Sequence, residues 1–566
     1  MIEIKEISPP QKLSGRSSLL VTFDYNENIV NTVKTFSPAV FNKKNLTWEI
    51  SIIYLSKLLD ALTFYDNIKL SLLKDNEITE ISSRESLTDN EIERFKYKPF
   101  DHQITGINFL LENKKSLLLD SMGIGKSLEI MYMAEVLHRR GAIDHCLIIC
   151  GVDSLRSNWK SEIQKFSKES VLVLGEKTNR NNKTYYDSVS ARVEQLRKPI
   201  EEFFVVVNIA TLRNDKIIEA ISKGPNTFGM IAVDEIHRVA NKSSQQGSNL
   251  LKLKSNYKVA ATGTPITNSP ISVYVPLSWT ENDQATLTNY KAQYCNFGGF
   301  NNSQIIGYKN LELLQDELNH CSIRRTFDQV RGDMPKKTIE YEIVEMSDEH
   351  QKFYDAIKNG IKEEADKIDL NSSNILALDT RLRQATACPS VLTSQDIMSS
   401  KIERAVELAE EILEAGDKVV ILGNFIEAAE KIAEYLSKYN PILCTGKIPD
   451  DVITRGVDNF RNYSNFNVLV GTHGKMGTGF SMPECHYMII IDQPFTPSQF
   501  QQSVDRIYRI TSDQPIFVKV LVCKDTYDER VREIVEGKQE LSDYIVDGKP
   551  SQKYTDILKN AILSSL

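Results

Sequence analysis

From about residue 93 to 540 the chain alternates short apolar runs with longer amphipathic stretches. The runs are Ser116 to Leu119, Cys146 to Cys150, Phe203 to Val207, Met230 to Val233 and Lys258 to Ala261, then Lys418 to Leu422, Asn467 to Val470 and Tyr487 to Ile491. Short continuous apolar runs separated by helical stretches predict strands buried on both faces, and therefore parallel sheets. The two groups of runs predict two α/β lobes. Between them, Pro270 to about Ser400 reads as mostly helical, as in Asp348 to Ile368. The first ninety or so residues differ. Leu19 to Phe23 is apolar and β-prone, Asn28 to Phe36 and Tyr54 to Leu62 have helical patterns, and Leu46 to Ile53 alternates around Trp48. These elements predict a small α+β unit, followed by a polar, acidic connector from Lys74 to about Glu93. The expected segments are 1–92, 93–270, 271–400, 401–540 and a tail at 541–566.

Composition narrows the class. The 566 residues carry 68 Lys+Arg against 76 Asp+Glu, a formal charge of −8, which excludes a globally basic nucleic-acid coat. At 41% hydrophobic and 25% charged, this is ordinary globular composition. The eight cysteines are scattered and form no CxxC pair, which argues against a zinc ribbon or a disulfide framework and for a reducing compartment. Cys146 and Cys150 lie beside His145, but period-2 alternation turns both thiols to one face of a strand, where they read as buried structural groups. No apolar run approaches the ~18 residues of a membrane span, and the start, MIEIKEISPP, has no signal-peptide pattern. The expectation is an intracellular protein that is neither secreted nor membrane-bound.

The strongest chemical signal is Asp120-Ser121-Met122-Gly123-Ile124-Gly125-Lys126-Ser127, after the apolar Leu117 to Leu119 and before a helical stretch that stops near Gly141. Strand, glycine loop and helix are the context of a phosphate-binding loop. Gly123 and Gly125 let backbone N–H groups close around phosphate oxygens, Lys126 neutralises the terminal phosphates, and Ser127 ligates Mg²⁺. Asp120 stands where such loops usually have their first glycine. A second signal follows another apolar strand: Asp234-Glu235-Ile236-His237, in which Asp234 can hold Mg²⁺ and Glu235 can orient and deprotonate an attacking water.

Together these residues resemble superfamily 2 helicases and translocases, and further motifs resemble the SNF-type (SWI/SNF-like) double-stranded DNA translocases within them. Phe100-Asp101-His102-Gln103 is similar to that family's adenine-reading element, with Gln103 on the base. Thr262-Gly263-Thr264-Pro265 resembles its lobe-coupling motif, where related RNA helicases typically have Ser-Ala-Thr. Leu382-Arg383-Gln384 with Cys388-Pro389, and Arg324-Arg325 before Met334-Pro335-Lys336, resemble elements of its helical insertion and lobe connection. Gln502-Ser503-Val504-Asp505-Arg506-Ile507-Tyr508-Arg509 resembles its arginine-finger helix, which implies that Arg506 and Arg509 reach the γ-phosphate when the lobes close and supply ~10³ to 10⁵ in rate. The family usually has His at the place of Tyr508 and Gly-Gln at Thr511-Ser512.

The resemblance implies two RecA-like lobes with helical insertions, ATP and Mg²⁺ as nucleotide and ion, and DNA as partner. Thr472 and Lys475, in a stretch that occupies the place of a Thr-Arg-Ala-Gly-Gly loop, are expected on DNA phosphate, with Gln502, Thr262, Gly263 and Thr264 coupling DNA to the nucleotide. Thr445-Gly446 and Asn208 to Thr211 fit the remaining backbone contacts. Trp159 serves either as core or as a DNA-facing residue, and Lys177 to Lys198 is either a solvated basic loop or a phosphate contact. Phe23-Asp24-Tyr25 and Phe41-Asn42-Lys43-Lys44 before Trp48 look similar to the HARP-like substrate-recognition domain of fork-remodelling, strand-annealing members. The expected protein is a monomeric DNA-dependent ATPase that remodels forked or branched duplex DNA, or protein–DNA complexes, in a bacterial or phage-infected cytoplasm. An RNA helicase and an ATP-dependent binding switch without processive translocation remain open alternatives. Nucleosome remodelling ranks below these, because only residues 541–566 follow the second lobe.

Overall fold

The N-terminal residues build a mixed sheet from β1 (Ile2–Ile7), β2 (Ser18–Phe23), β3 (Ala39–Asn42), β4 (Thr47–Ser51) and β5 (Ile68–Ser71), in the order β3-β4-β2-β1-β5. Alternation sends Ile2, Ile4, Leu19, Val21 and Ile50 to one face, where Ile29 and Val33 of helix Glu27–Thr35 and Leu58 of helix Leu55–Ala61 complete a small separate core. Glu49 points to the other side. Buried at 2% exposure, it accepts hydrogen bonds from the backbone of Gln11 (2.8 Å) and Lys12 (2.9 Å) and from Ser18 Oγ (2.8 Å), and so anchors the segment 10–13. The computed structural model describes residues 2–8, 10–13, 17–36, 38–62, 68–71, 86–151, 153–178, 184–299, 304–365, 372–395, 397–476, 480–509 and 511–548.

The next strands are β6 (Lys115–Leu118), β7 (His145–Cys150), β8 (Val171–Val173), the hairpin β9 (Glu176–Thr178) with β10 (Thr184–Tyr186), β11 (Phe204–Asn208), β12 (Phe228–Asp234), β13 (Tyr257–Ala261), the hairpin β14 (Cys295–Gly298) with β15 (Gln304–Tyr308), and β16 (Ser322–Ile323). Seven of them form an all-parallel sheet in the order β16-β6-β13-β12-β7-β11-β8, and the two hairpins stand outside it. Each central strand feeds two cores. Leu147, Ile149, Ile231 and Val233 pack on one face, and Cys146, Ile148, Cys150, Met230 and Ala232 on the other, with both thiols together as the alternation predicts.

A further parallel sheet is built from β17 (Lys337–Val344), β18 (Val419–Gly423), β19 (Ile442–Cys444), β20 (Val468–Thr472), β21 (Tyr487–Ile490) and β22 (Ile516–Cys523). Its six strands run in the order β17-β22-β21-β18-β20-β19. The chain divides into one unit of Met1–Ser121, Gly125–Arg325 and Glu540–Leu566, and another of Met122–Ile124 and Thr326–Gln539.

Three expectations change. The stretch 271–400 is not an insertion of its own: it passes from one unit to the other at Arg325/Thr326 and supplies β16 to the first α/β sheet and β17 to the second. At an edge, β17 has the alternating pattern Lys-Thr-Ile-Glu-Tyr-Glu-Ile-Val, so it shows no continuous apolar run. Helix Asp348–Ala365 forms as predicted, while Ile368 lies outside the described residues. The end of the connector after Lys74 is the helix Asp89–Arg94, capped reciprocally by Thr88 and Glu91; residues 72–85 lie outside the described set. Helix Tyr527–Asp547 continues past residue 540, and its Leu541, Ile545 and Val546 bury in the core of the first unit.

Candidate functional site

The loop after β6 turns through Gly123 (φ +82°) and Gly125 (φ +113°), left-handed values that favour glycine. The Gln103 amide packs against Gly125, and a Cβ there would stand 2.3 Å from its Nε2 and displace it. Helix Lys126–Arg139 begins at once, its first N–H groups without intrahelical partners and its positive dipole end at the loop. Lys126 is buried, and its Nζ donates to the carbonyls of Asp120 (2.8 Å) and Ser121 (3.1 Å). Burial lowers its pKa, while the charges of Glu235, Asp120 and Asp234 work to raise it. Ser127 is half-buried in the first turn.

β12 delivers the two carboxylates at its C-terminal end. Burial, then the neighbouring Glu235 charge, push the Asp234 carboxyl up to about 7, with Lys126 and a hydrogen bond from Trp159 acting in the opposite sense. Burial also works to raise Glu235, but the hydrogen bond from His237 and the charges of His237, Lys126 and Arg238 outweigh it and bring Glu235 down to about 2. Glu235 has φ +54°, a left-handed backbone rare outside glycine, Asn and Asp, and characteristic of constrained functional positions. Its Oε2 lies 3.2 Å from His237 Nδ1, which is 2.9 Å from Thr262 Oγ1; Thr262 also accepts from the backbone N of Thr264 (3.1 Å). The structure therefore brings together Lys126, Asp234, Glu235 and, from the end of β13, Thr262. Gly263 contributes its carbonyl, which accepts from Arg324 (3.2 Å).

Six further residues support this group. Trp159 takes the core position of its two expected roles, at 2% exposure, and from there donates its indole N–H to Asp234 Oδ2 at 3.0 Å. His237 was visible two residues after Glu235, without an assigned role. Asp120, where a glycine is usual, and Glu129 are both fully buried and share the Arg325 guanidinium: Arg325 Nε donates to Asp120 Oδ1 (3.0 Å) and its NH2 to Glu129 Oε2 (2.8 Å). Arg324 donates to Leu119 O (2.6 Å) and pairs with Asp547 (2.9 Å). Pairings across two hundred residues leave no local pattern.

The second unit alters the finger helix. Helix Pro497–Val504 stops before both arginines: Arg506 lies in the turn beyond it and Arg509 past that turn. The break comes at Asp505, which is buried and takes the C-cap position. Arg506 Nε donates to Gln502 O (3.2 Å) and its NH1 to Phe480 O (3.2 Å). Gln502 itself is buried. Thr472 ends β20 at 8% exposure, and the stretch expected as a glycine loop starts as a short helix, His473–Met476. Within it, Lys475 pairs with Asp450. Residues 477–479 lie outside the described set.

The remaining nucleic-acid candidates are inward or paired. Asn208 and Thr211 are buried, Asn208 Oδ1 accepting from Thr211 N (3.1 Å) as a cap; Thr445 is fully buried. In the basic segment Lys177 pairs with Asp187 and Lys198 with Glu194, while Arg180 and Lys183 lie outside the described residues.

For a divalent ion, Ser127 offers a hydroxyl and Asp234 a carboxylate, both hard oxygen donors suited to Mg²⁺. The buried Asp234–Glu235 pair is a concentration of negative charge that such an ion would relieve. Among the described residues, no group of three or more His, Cys, Asp or Glu could hold a metal by itself.

A family model described as the SNF2-related domain matches residues 102–391, and the helicase conserved C-terminal domain matches 401–511. An uncharacterized ATP-dependent helicase of Mycoplasma genitalium is 26% identical over 505 residues, covering 86% of this chain and 45% of the relative. The ATP-dependent helicase FUN30 of Saccharomyces cerevisiae is 22% identical over 558 residues, covering 82% and 48%. The chain thus spans about half the length of these curated relatives. Among solved structures, the Sulfolobus solfataricus SWI2/SNF2 ATPase core in complex with dsDNA matches with a TM-score of 0.37 and 21% identity, over 80% of this chain and 94% of that one. With the SNF2-related model spanning more than half of its residues, the chain belongs to the SNF2-related family.

Proposed function

We propose that the protein is an ATP-hydrolysing motor that translocates on double-stranded DNA. The observation that carries this reading is the assembly of Lys126, Asp234 and a backbone-constrained, ionised Glu235 at the C-terminal edge of one parallel sheet. ATP phosphates lie against the loop N–H groups and Lys126, with Gln103 toward the base. When bound, Mg²⁺ supplies charge neutralisation at the phosphates, held by Ser127 and Asp234. Glu235, kept charged by His237, accepts a hydrogen bond from the attacking water, aligns it with the γ-phosphorus and serves as its proton acceptor. Arg506 and Arg509 are assigned to the charge on the γ-phosphate, and Thr262 to Thr264, Thr472, Lys475 and Gln502 to coupling.

The finer reading is a preference for forked or branched DNA, recognised through the N-terminal sheet. Its support is the β3–β4 side of the sheet, where the exposed Phe41 ring lies 5.1 Å from the half-buried Trp48 ring, Lys34 stands 6.0 Å from Trp48, and Lys43 and Lys44 are exposed at the turn. Aromatics interleaved with lysines suit unpaired bases beside phosphate. The test is ATP turnover on duplex, forked and single-stranded DNA and on RNA, at one salt concentration. Duplex and fork stimulation is expected. Stimulation by RNA above duplex would favour the RNA-helicase reading, and turnover unchanged by any nucleic acid the switch.

A further inference from the structure

The helix Asp153–Phe166 reaches the candidate site from the side, and three of its residues point to three different partners. Trp159 faces inward, packed in the core with Ile163, Cys150 and Val206, its N–H on Asp234 Oδ2 at 3.0 Å. One turn earlier, the buried Arg156 places its guanidinium carbon 3.4 Å from the centre of the Tyr186 ring on β10. One residue after Trp159, Lys160 pairs with Glu176 on β9. The helix is therefore gripped by the β9–β10 hairpin on one side and holds a carboxylate on the other.

We propose that Trp159 is a positioning residue for Asp234: its N–H occupies Oδ2 and fixes the carboxylate plane, leaving Oδ1 for the divalent ion that accompanies the nucleotide, while the β9–β10 hairpin maintains the helix in the required place. A buried indole N–H needs an acceptor, and a backbone carbonyl would serve a merely structural tryptophan. Here the acceptor is the side chain with the strongest claim on the ion. An indole wedged in a packed core has almost no rotational freedom, so the carboxylate inherits a fixed orientation.

This inference rests on the ATP-hydrolysis reading, and the two can fail separately. In the full-length protein, Trp159→Phe keeps an aromatic ring and removes the donor. A fluorescent ATP analogue is titrated with and without Mg²⁺, and turnover is measured against Mg²⁺ concentration. The expected result is nucleotide affinity unchanged without Mg²⁺ and weakened roughly tenfold or more with it, in line with the loss of one hydrogen bond to a charged group, together with a raised Mg²⁺ requirement for turnover. Tyr186→Ala, which touches the core only at its edge, should shift the same Mg²⁺ dependence in the same direction by a smaller factor, and it carries the test if Trp159→Phe does not fold. An unaltered Mg²⁺ dependence, or equal weakening with and without the ion, overturns the proposal. A wild-type protein that binds no nucleotide overturns the functional reading instead.

Discussion

At the scale of single residues, the site is decided by which charges are buried together. Lys126→Ala should reduce ATP turnover at least a hundredfold, because no other described residue supplies a cation from the loop; Glu235→Gln should retain nucleotide binding, read with a fluorescent analogue, while turnover falls to a similar extent. Arg325 lies between two fully buried carboxylates, Asp120 and Glu129. Above pH 8, where both are charged, Arg325→Met therefore strands both and should cost about 3–5 kcal/mol of stability in a denaturant melt, with partial recovery when Glu129→Gln is added. Glu129 also has a pH consequence. Burial pushes its carboxyl up from 4.5 to about 8, Arg325 opposing and Asp120 adding to the rise. A folded-state pKa above the unfolded one means that the native protein binds more protons between these values, so this group's contribution is complete below pH 4.5 and is lost as pH rises through about 8. Melts of the wild type and Glu129→Gln across pH 5 to 9 should show the wild type losing stability relative to the variant as pH rises.

At the scale of elements, the parallel strands were legible because burial on both faces forces continuous apolar runs, and the two-faced cores on β7 and β12 follow from the same alternation. β17 was hidden because an edge strand needs only half of that pattern. The finger region misled for a different reason: Gln502 to Arg509 has helical spacing, but Asp505 caps and ends the helix. Lys126, Asp234 and Glu235 were legible because their loops follow strands directly; Trp159, Arg325 and Glu129 were not, since only the folded sheet brings them to those loops. Helix Asp101–Asn113 depends on one small residue for its approach to helix Lys126–Arg139. A Cβ on Gly106 would stand 1.9 Å from Glu129 Oε2 and 2.7 Å from Arg325 NH2. Gly106→Ala should therefore cost about 1–3 kcal/mol in a thermal or denaturant melt and raise the KM for ATP, since Gln103 lies on the displaced helix.

At the scale of the whole molecule, a charge of −8 is compatible with a DNA partner when the phosphate-binding groups are few and local. The N-terminal sheet is where the balance differs: residues 1–71 carry eight Lys+Arg against seven Asp+Glu, and Lys34, Lys43 and Lys44 gather beside Phe41 and Trp48. Its core is its own, so exposed substitutions there should leave the nucleotide site intact. If this edge reads the unpaired part of a fork, Lys43→Glu with Lys44→Glu should leave basal and duplex-stimulated turnover within about twofold and remove most of the additional stimulation by forked DNA. For every lysine that neutralises a phosphate, its replacement should also flatten the salt dependence of fork binding by about one unit of log–log slope or slightly less. Phe41→Ala should reduce fork stimulation without changing that slope, since stacking releases no counterions. Equal losses on duplex and fork in all of these variants would place the sheet in general DNA retention and remove the case for a branch-reading role.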